Sequence, residues 1–179
     1  MSQINNNPNN LNEIETRVFN EFSSIVNEYS TYPKGSKSTK WLTTEIKRRV
    51  ANIGFENKFE ARSSFNDGEW LYDLVWYKNN SDNFLEKVEL VLESELSDRT
   101  YAGLQLDFEK LLISNAPYKV MICMAEGNYD YPQNINRVID LFEKAVVACR
   151  NLQSGARVLV LIWEDYMEGA VHPHLIIKE

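Results

Sequence analysis

Cysteine is scarce in this 179-residue chain: the two present, Cys123 and Cys149, both sit inside apolar runs. They read as buried thiols rather than a bridge, and such usage suits a reducing cytoplasm, the expected location. Long hydrophobic runs are missing too. The longest, at 158–163 and 120–125, fall far short of the ~20 residues that a membrane-spanning helix needs. The asparagine-rich first twelve residues have neither a basic start nor an apolar stretch, so no secretory leader is expected. Histidine is limited to His172 and His174, with no cysteine or carboxylate spacing around them that makes a zinc signature. An exposed strand end is their expected setting. A glycine-rich phosphate loop is also lacking, since Pro33-Lys34-Gly35-Ser36-Lys37 omits the first glycine and does not follow a strand. Ser94 has no partnered histidine in a recognisable motif, which leaves nucleophilic catalysis unsupported.

Positive charge is in deficit. Nineteen Lys and Arg against 26 Asp and Glu give a formal charge of −7, which argues against a protein that coats nucleic acid through its whole surface. The deficit is uneven, however. Lys34, Lys37, Lys40, Lys47, Arg48 and Arg49 crowd one segment, with only Glu45 among them. Salt screens charges beyond roughly 8–10 Å, so a local patch can hold phosphates while the rest of the surface stays acidic.

What is present reads as an ordinary globular chain, 44% hydrophobic and 25% charged. Residues 1–10 are expected as a disordered tail and 11–179 as one domain. Ile14, Val18, Phe22 and Ile25 mark one buried stripe on a first helix over 11–29. A loop at 30–40 leads to a second helix carrying Leu42, Ile46, Val50 and Ile53, with Gly54 placed to close it. The period then changes to two. Strands are predicted over 55–65 and 69–78, joined by the turn Asn66-Asp67-Gly68, and a third strand over 87–96. Helices at 103–116 and 133–150 then alternate with strands at 118–125 and 157–163, and 175–178 reads as a short edge strand. Trp70, Tyr72 and the other tryptophans are expected mostly in the core. The fold class is α/β: a mixed β-sheet flanked by helices on both faces.

The informative feature is a row of acids, Asp73 in the second strand and Glu93-Ser94-Glu95 in the third. Strand geometry puts Glu93 and Glu95 on one face, about 7 Å apart. A loop centred on Asn83 opposes Asp73 to Glu93, and one centred on Ser81 shifts the pairing by an even number. Both keep Asp73 on the face of the glutamates, whereas an odd offset moves it to the other. Carboxylates gathered this way repel one another unless a hard divalent cation joins them. The alternative is that Glu93 and Glu95 are solvent-facing residues of a half-exposed strand.

The strings 70–76, Leu90-Val91-Leu92-Glu93-Ser94-Glu95 and Asp107-Phe108-Glu109-Lys110-Leu111-Leu112, the last leading into Lys119-Val120-Met121-Ile122-Cys123, resemble the PD-(D/E)XK nuclease superfamily. The likeness runs over roughly 41–163 in the order of elements and implies a restriction-endonuclease-like fold. It implies that Asp73 and Glu93 bind Mg²⁺ (or Mn²⁺), and that the position of Glu95 supports the attacking water. It also implies a supporting glutamate from the second helix, where Glu45 stands, although Glu45 also has the spacing of an ordinary pair with Arg49. The sequence departs from the pattern at Tyr72, where proline is usual, and at Glu95, where lysine is usual. Some type II restriction endonucleases of this fold carry an Asp…Glu-x-Glu version. Lysine offers a positive donor, whereas glutamate accepts a proton or holds a second metal. In some relatives the lysine has moved to the third helix, where Lys110 stands here; a solvated surface lysine is the plain alternative.

The reading that results is Mg²⁺-dependent phosphodiester hydrolysis of DNA, with Asp73, Glu93, Glu95, Glu45 and Lys110 as site residues. Lys34, Lys37, Lys40 and Arg48 would hold the phosphate backbone. A homodimer or partner subunit would supply the base readout for which the chain has little material. The rival is a catalytically inactive nuclease-fold module that binds nucleic acid or a protein partner, which the acidic composition and missing motif lysine favour.

Overall fold

The computed structural model describes residues 10–33, 38–66, 68–97, 100–124, 131–164 and 170–179. The first helix, α1 (Glu13–Thr31), opens on a reciprocal cap: the Asn12 side chain accepts from the Glu15 backbone while the Glu15 carboxylate accepts from that of Asn12. Val18, Phe22, Ile25 and Val26 form its buried stripe. The second, α2 (Thr39–Glu56), is capped by Ser38 and buries Leu42, Ile46, Val50 and Ile53 together with one lysine, Lys47.

Gly54 does not end α2, as its sequence position suggested. The helix runs on to Glu56, and Lys58 supplies the positive φ after it. Gly54 instead meets the Trp76 indole, where a Cβ would lie 2.8 Å from Nε1. Its missing side chain is a packing requirement.

Six strands follow: β1 (Glu60–Ser63), β2 (Leu74–Asn79), β3 (Leu85–Glu95), β4 (Tyr118–Met124), β5 (Arg157–Glu164) and β6 (Ala170–Ile177). Two more helices, α3 (Tyr101–Leu112) and α4 (Tyr131–Ala148), intervene before β4 and β5. The strands lie side by side in chain order. β1, β2 and β3 form an antiparallel meander, β3, β4 and β5 run parallel, and β6 returns antiparallel. The crossovers α3 and α4 make the parallel pairs possible.

Alternation along the strands divides the interior in two. Leu74, Trp76, Leu90, Leu92, Val120, Ile122, Leu159 and Leu161 pack with α1 and α2. Val75, Val91, Met121, Val158, Val160 and Ile162 pack with α3 and α4, where Phe108 stacks on Phe142 at 4.0 Å. The α/β class with helices on both faces is therefore present. No helix among the described residues is long and apolar enough to cross a membrane.

Several boundaries shift. The expected strand over 55–65 shrinks to four residues because α2 takes its beginning. Residues 70–73 are a bend before β2 rather than part of it. Tyr72 thereby leaves the parity of Leu74 and Trp76 and packs on the α3 side, while Trp70 remains 43% exposed instead of joining the core. The last strand is eight residues long, not four. Its histidines are not a bare strand end either: His174 is buried beside Glu143 of α4, and His172 meets the buried Glu164.

Candidate active site

The β2–β3 register decides which acids face each other. Leu74 pairs with Leu92, Val75 with Val91 and Trp76 with Leu90, so the same register carried one residue back sets Asp73 opposite Glu93. At the turn Asn79 pairs with Leu85, which centres the hairpin on Asp82, and irregularities between Trp76 and Tyr77 and between Lys78 and Asn79 carry the register from there to the one that opposes Asp73 to Glu93. Those bulges are why loop position alone left two registers open, of which the one centred on Asn83 holds beside the acids.

Asp73 is fixed from two directions. Its Oδ2 accepts from the Ser94 backbone N–H and hydroxyl, both at 2.8 Å. Its Oδ1 lies 3.0 Å from the Lys47 ammonium, brought in by α2. Lys47 is 5% exposed and also donates to Glu69 and, at 3.3 Å, to the Ser64 hydroxyl. Burial alone would lower the Lys47 ammonium; Glu69 and Asp73 outweigh it and hold it above its ordinary value.

Glu93 is buried on the α3 side, not solvent-facing. Lys110 lies 3.1 Å from its Oε1, an ion-pair contact outside hydrogen-bond geometry. That buried oxygen is left without a hydrogen bond among the described residues. Burial pushes the Glu93 carboxyl up to about 7; Lys110 opposes the shift and the Asp73 charge adds to it. Lys110 also contacts Asp107 at 2.8 Å, one helical turn back. The Tyr72 hydroxyl donates to the Lys110 carbonyl at 3.2 Å, tying the residue before Asp73 to the lysine beside Glu93. Lys110 is thus drawn to the acids, not left as a solvated surface lysine.

Glu95 accepts from the backbone and hydroxyl of Ser97, both at 2.7 Å. With Asp73, Ser94 and Lys47 it lines a cleft of ≈ 380 Å³, whose opposite wall is Lys40, Thr43 and Thr44 of α2. Glu93 does not line that cleft. The single pocket expected to collect all three acids is not formed. Among the described residues no three His, Cys, Asp or Glu side chains converge to hold a metal ion. The physical reason is the bend at 70–73, which frees Asp73 from strand parity and lets it reach α2 and Ser94.

Two expected members lie elsewhere. Glu45 is bound by Arg48 at 2.6 and 3.1 Å and by Arg49 at 3.2 Å, and Arg49 continues to Glu28 of α1. It serves the α1–α2 contact and does not line the cleft, and Arg48 is committed with it. Lys40 does line the cleft. Lys34 and Lys37 fall outside the described residues.

Sequence reasoning missed Lys47 as a site residue, along with its partners Glu69 and Ser64. A signal was available: Lys47 directly follows Ile46 on the flank of the apolar stripe, a position where a cation needs a buried partner. Ser94, unsupported as a nucleophile, anchors Asp73.

No family model, curated protein or solved structure matches this chain. The case for function rests on the site itself.

A hard divalent ion commonly takes one or two carboxylates plus water and phosphate oxygens. The two acids that would answer to that description, Asp73 in the bend before β2 and Glu93 in β3, do not line a common cleft.

Proposed function

We propose that the chain is a metal-dependent nuclease of the restriction-endonuclease-like fold, hydrolysing phosphodiester bonds of DNA. The observation that carries this reading is the Lys110 ammonium 3.1 Å from Glu93. It offers, from α3, the positive donor that Glu95 cannot supply from the motif position. The element order α2–β1–β2–β3–α3–β4 supports the fold assignment.

Each side chain has a role that follows from its setting. Asp73 and Glu93 would bind Mg²⁺ or Mn²⁺, whose chemistry is to polarise a phosphoryl oxygen and acidify water. Glu95, open to the cleft, stands to accept the proton of the attacking water as the phosphorus–oxygen bond of the leaving group breaks. Lys110, outside the cleft beside Glu93, would offset negative charge at that carboxylate. Lys40, Thr43 and Thr44 present an ammonium and two hydroxyls along the cleft wall, a surface suited to phosphate oxygens.

A second reading draws on a different observation. Asp73 has both oxygens engaged by Lys47 and Ser94, which also describes a site that has exchanged its metal for lysine. That chain would be an inactive module that binds nucleic acid or a protein partner.

Incubation of plasmid and single-stranded DNA with the protein and Mn²⁺ separates the two. The nuclease reading expects cleavage by the wild type and a loss of about 10³-fold or more in Glu93→Gln, as for removal of a group essential to charge stabilisation. Cleavage that persists undiminished in Glu93→Gln would sink the site assignment, and no cleavage by the wild type favours the second reading.

A further inference from the structure

β3 is the longest strand, and only part of it is paired on both sides. β2 pairs along it from Leu85 to Leu92, whereas β4 joins it only from Leu90 onwards, where Tyr118 is the partner. The same parallel register carried back would set Ala116 opposite Val88, yet the pairing has already stopped. Residues 114–116 instead line a second groove of ≈ 530 Å³, together with Trp70, Leu71 and Tyr72 of the bend and with Val75 and 85–88 of the sheet.

A strand paired on one side only turns alternate N–H and C=O groups outwards, which makes it a template for another strand. Lysine commonly guards such an edge, but Lys87 does not guard this one. Its ammonium lies 2.7 Å from Glu89 and 5.1 Å from the centre of the Phe59 ring, which packs on the α1–α2 side of the sheet. Only the stem of Lys87 is left to the groove. Glu86 also lines the groove, and its carboxylate has no ion pair or hydrogen bond among the described residues. Leu71 and Leu85 beside it are 56% and 54% exposed, an apolar rim of the kind that marks an interaction surface. Three demands therefore coincide: open backbone groups call for a strand, the rim calls for apolar side chains, and Glu86 calls for a cation. Nucleic acid answers none of them, since its phosphates meet an uncompensated carboxylate on a chain of charge −7.

We infer that the β3 edge at 85–88 docks an extended segment of a protein partner, which adds as a strand and sets a lysine or arginine against Glu86. Alternate side chains of a strand share a face, so the apolar residues of that segment stand two places to either side of the cation. Backbone pairing supplies the affinity and the alternate side chains the choice of partner. Asp73, Glu93, Glu95 and Lys110 do not line this groove, so the inference stands apart from the nuclease reading.

The test uses acetyl-Val-Thr-Lys-Thr-Val-amide as probe, titrated into the isotope-labelled full-length protein and followed through its backbone amide resonances. Shifts are expected at 85–88 and 114–116, with slower hydrogen exchange at the outward-facing amides of 85–88. The same peptide with glutamate at its centre is expected to bind about fivefold more weakly, the scale of one partly exposed ion pair. Glu86→Lys, a change on an exposed side chain, is expected to reverse that preference, which a merely damaged fold cannot do. A lysine peptide N-methylated at every residue keeps its side chains but loses its backbone donors, and is expected not to bind.

No shift at 85–88 with the lysine peptide, equal binding of the two peptides, or undiminished binding of the N-methylated one would each overturn the inference. So would a dimer of the protein itself in which 85–88 is already protected and becomes exposed on dilution, since a second copy would then be the occupant.

Discussion

Two glutamates in this molecule are each approached by lysine or arginine, and their acidities move in opposite directions. Glu45, on the outer side of α2, is clasped by Arg48 and Arg49, and the Arg48 hydrogen bond holds its carboxyl below the ordinary range. Glu93, under α3, has Lys110 at 3.1 Å and is nevertheless pushed up to about 7. Burial explains the contrast. The Glu45 side chain keeps 15% of its surface exposed and has three hydrogen bonds from guanidinium groups. Glu93 keeps 5% and has one ammonium off hydrogen-bond geometry, with the Asp73 charge nearby. A cation stabilises a carboxylate where water still helps; in the interior the desolvation penalty prevails unless the ion pair is fully hydrogen-bonded. Glu45 is built for structure, and Glu93 carries a strain that structure alone does not require.

The comparison can be broken in a graded way. The largest effect on stability is expected at the buried end. Lys47→Met leaves Asp73 and Glu69 without their shared ammonium and should cost about 3–5 kcal/mol, the usual result of removing one partner of a buried pair. Glu45→Gln, which loosens a partly exposed pair, should cost no more than about 1 kcal/mol. Urea unfolding of both variants at pH 7 measures the difference; equal losses would mean that burial does not separate the two sites.

The pH dependence sharpens it further, because the signs are opposed. The raised Glu93 carboxyl favours folding while protonated. Its contribution is complete below about pH 4.5 and is lost as the pH climbs through 7. Glu93→Gln should therefore gain on the wild type between pH 5 and 8, by about 2–3 kcal/mol if the whole shift is expressed. The lowered Glu45 carboxyl contributes above the ordinary carboxylate range and loses that contribution as the pH falls through its depressed value. Glu45→Gln should approach wild-type stability on acidification, a change of a few tenths of a kcal/mol. Stability curves for the three proteins from pH 3 to 8 display both trends, and parallel curves would remove the contrast.

Much of the fold was legible because burial imposes period. Val75 and Trp76 alternate between the two cores, and Phe22 and Phe108 sit on stripes of helical spacing, so the order of elements and the mixed sheet follow from the pattern. The acids of β3 were legible for the same reason. What remained hidden depends on partners distant in sequence. Residues 70–73 alternate like a strand, yet they bend away, and Asp73 reaches Lys47 and Ser94 instead of sharing a pocket with Glu93. Alternation also suits a solvent-facing Glu93, and only the position of α3 buries it. Glu45 and Lys47 are two residues apart on α2. The docking of α1 turns one towards Arg49 and Glu28, and the sheet takes the other. No local pattern distinguishes these two fates.

The central proposal is that Asp73 and Glu93 would hold a divalent ion although they line no common cleft. Titration of Mn²⁺ into the wild type and Asp73→Asn by calorimetry addresses it most directly. The account predicts one ion per chain in the wild type and an affinity lower by about tenfold or more in the variant, the loss expected when one of two anionic ligands becomes a neutral amide. Equal affinities in the two proteins, or no heat of binding in either, would contradict it.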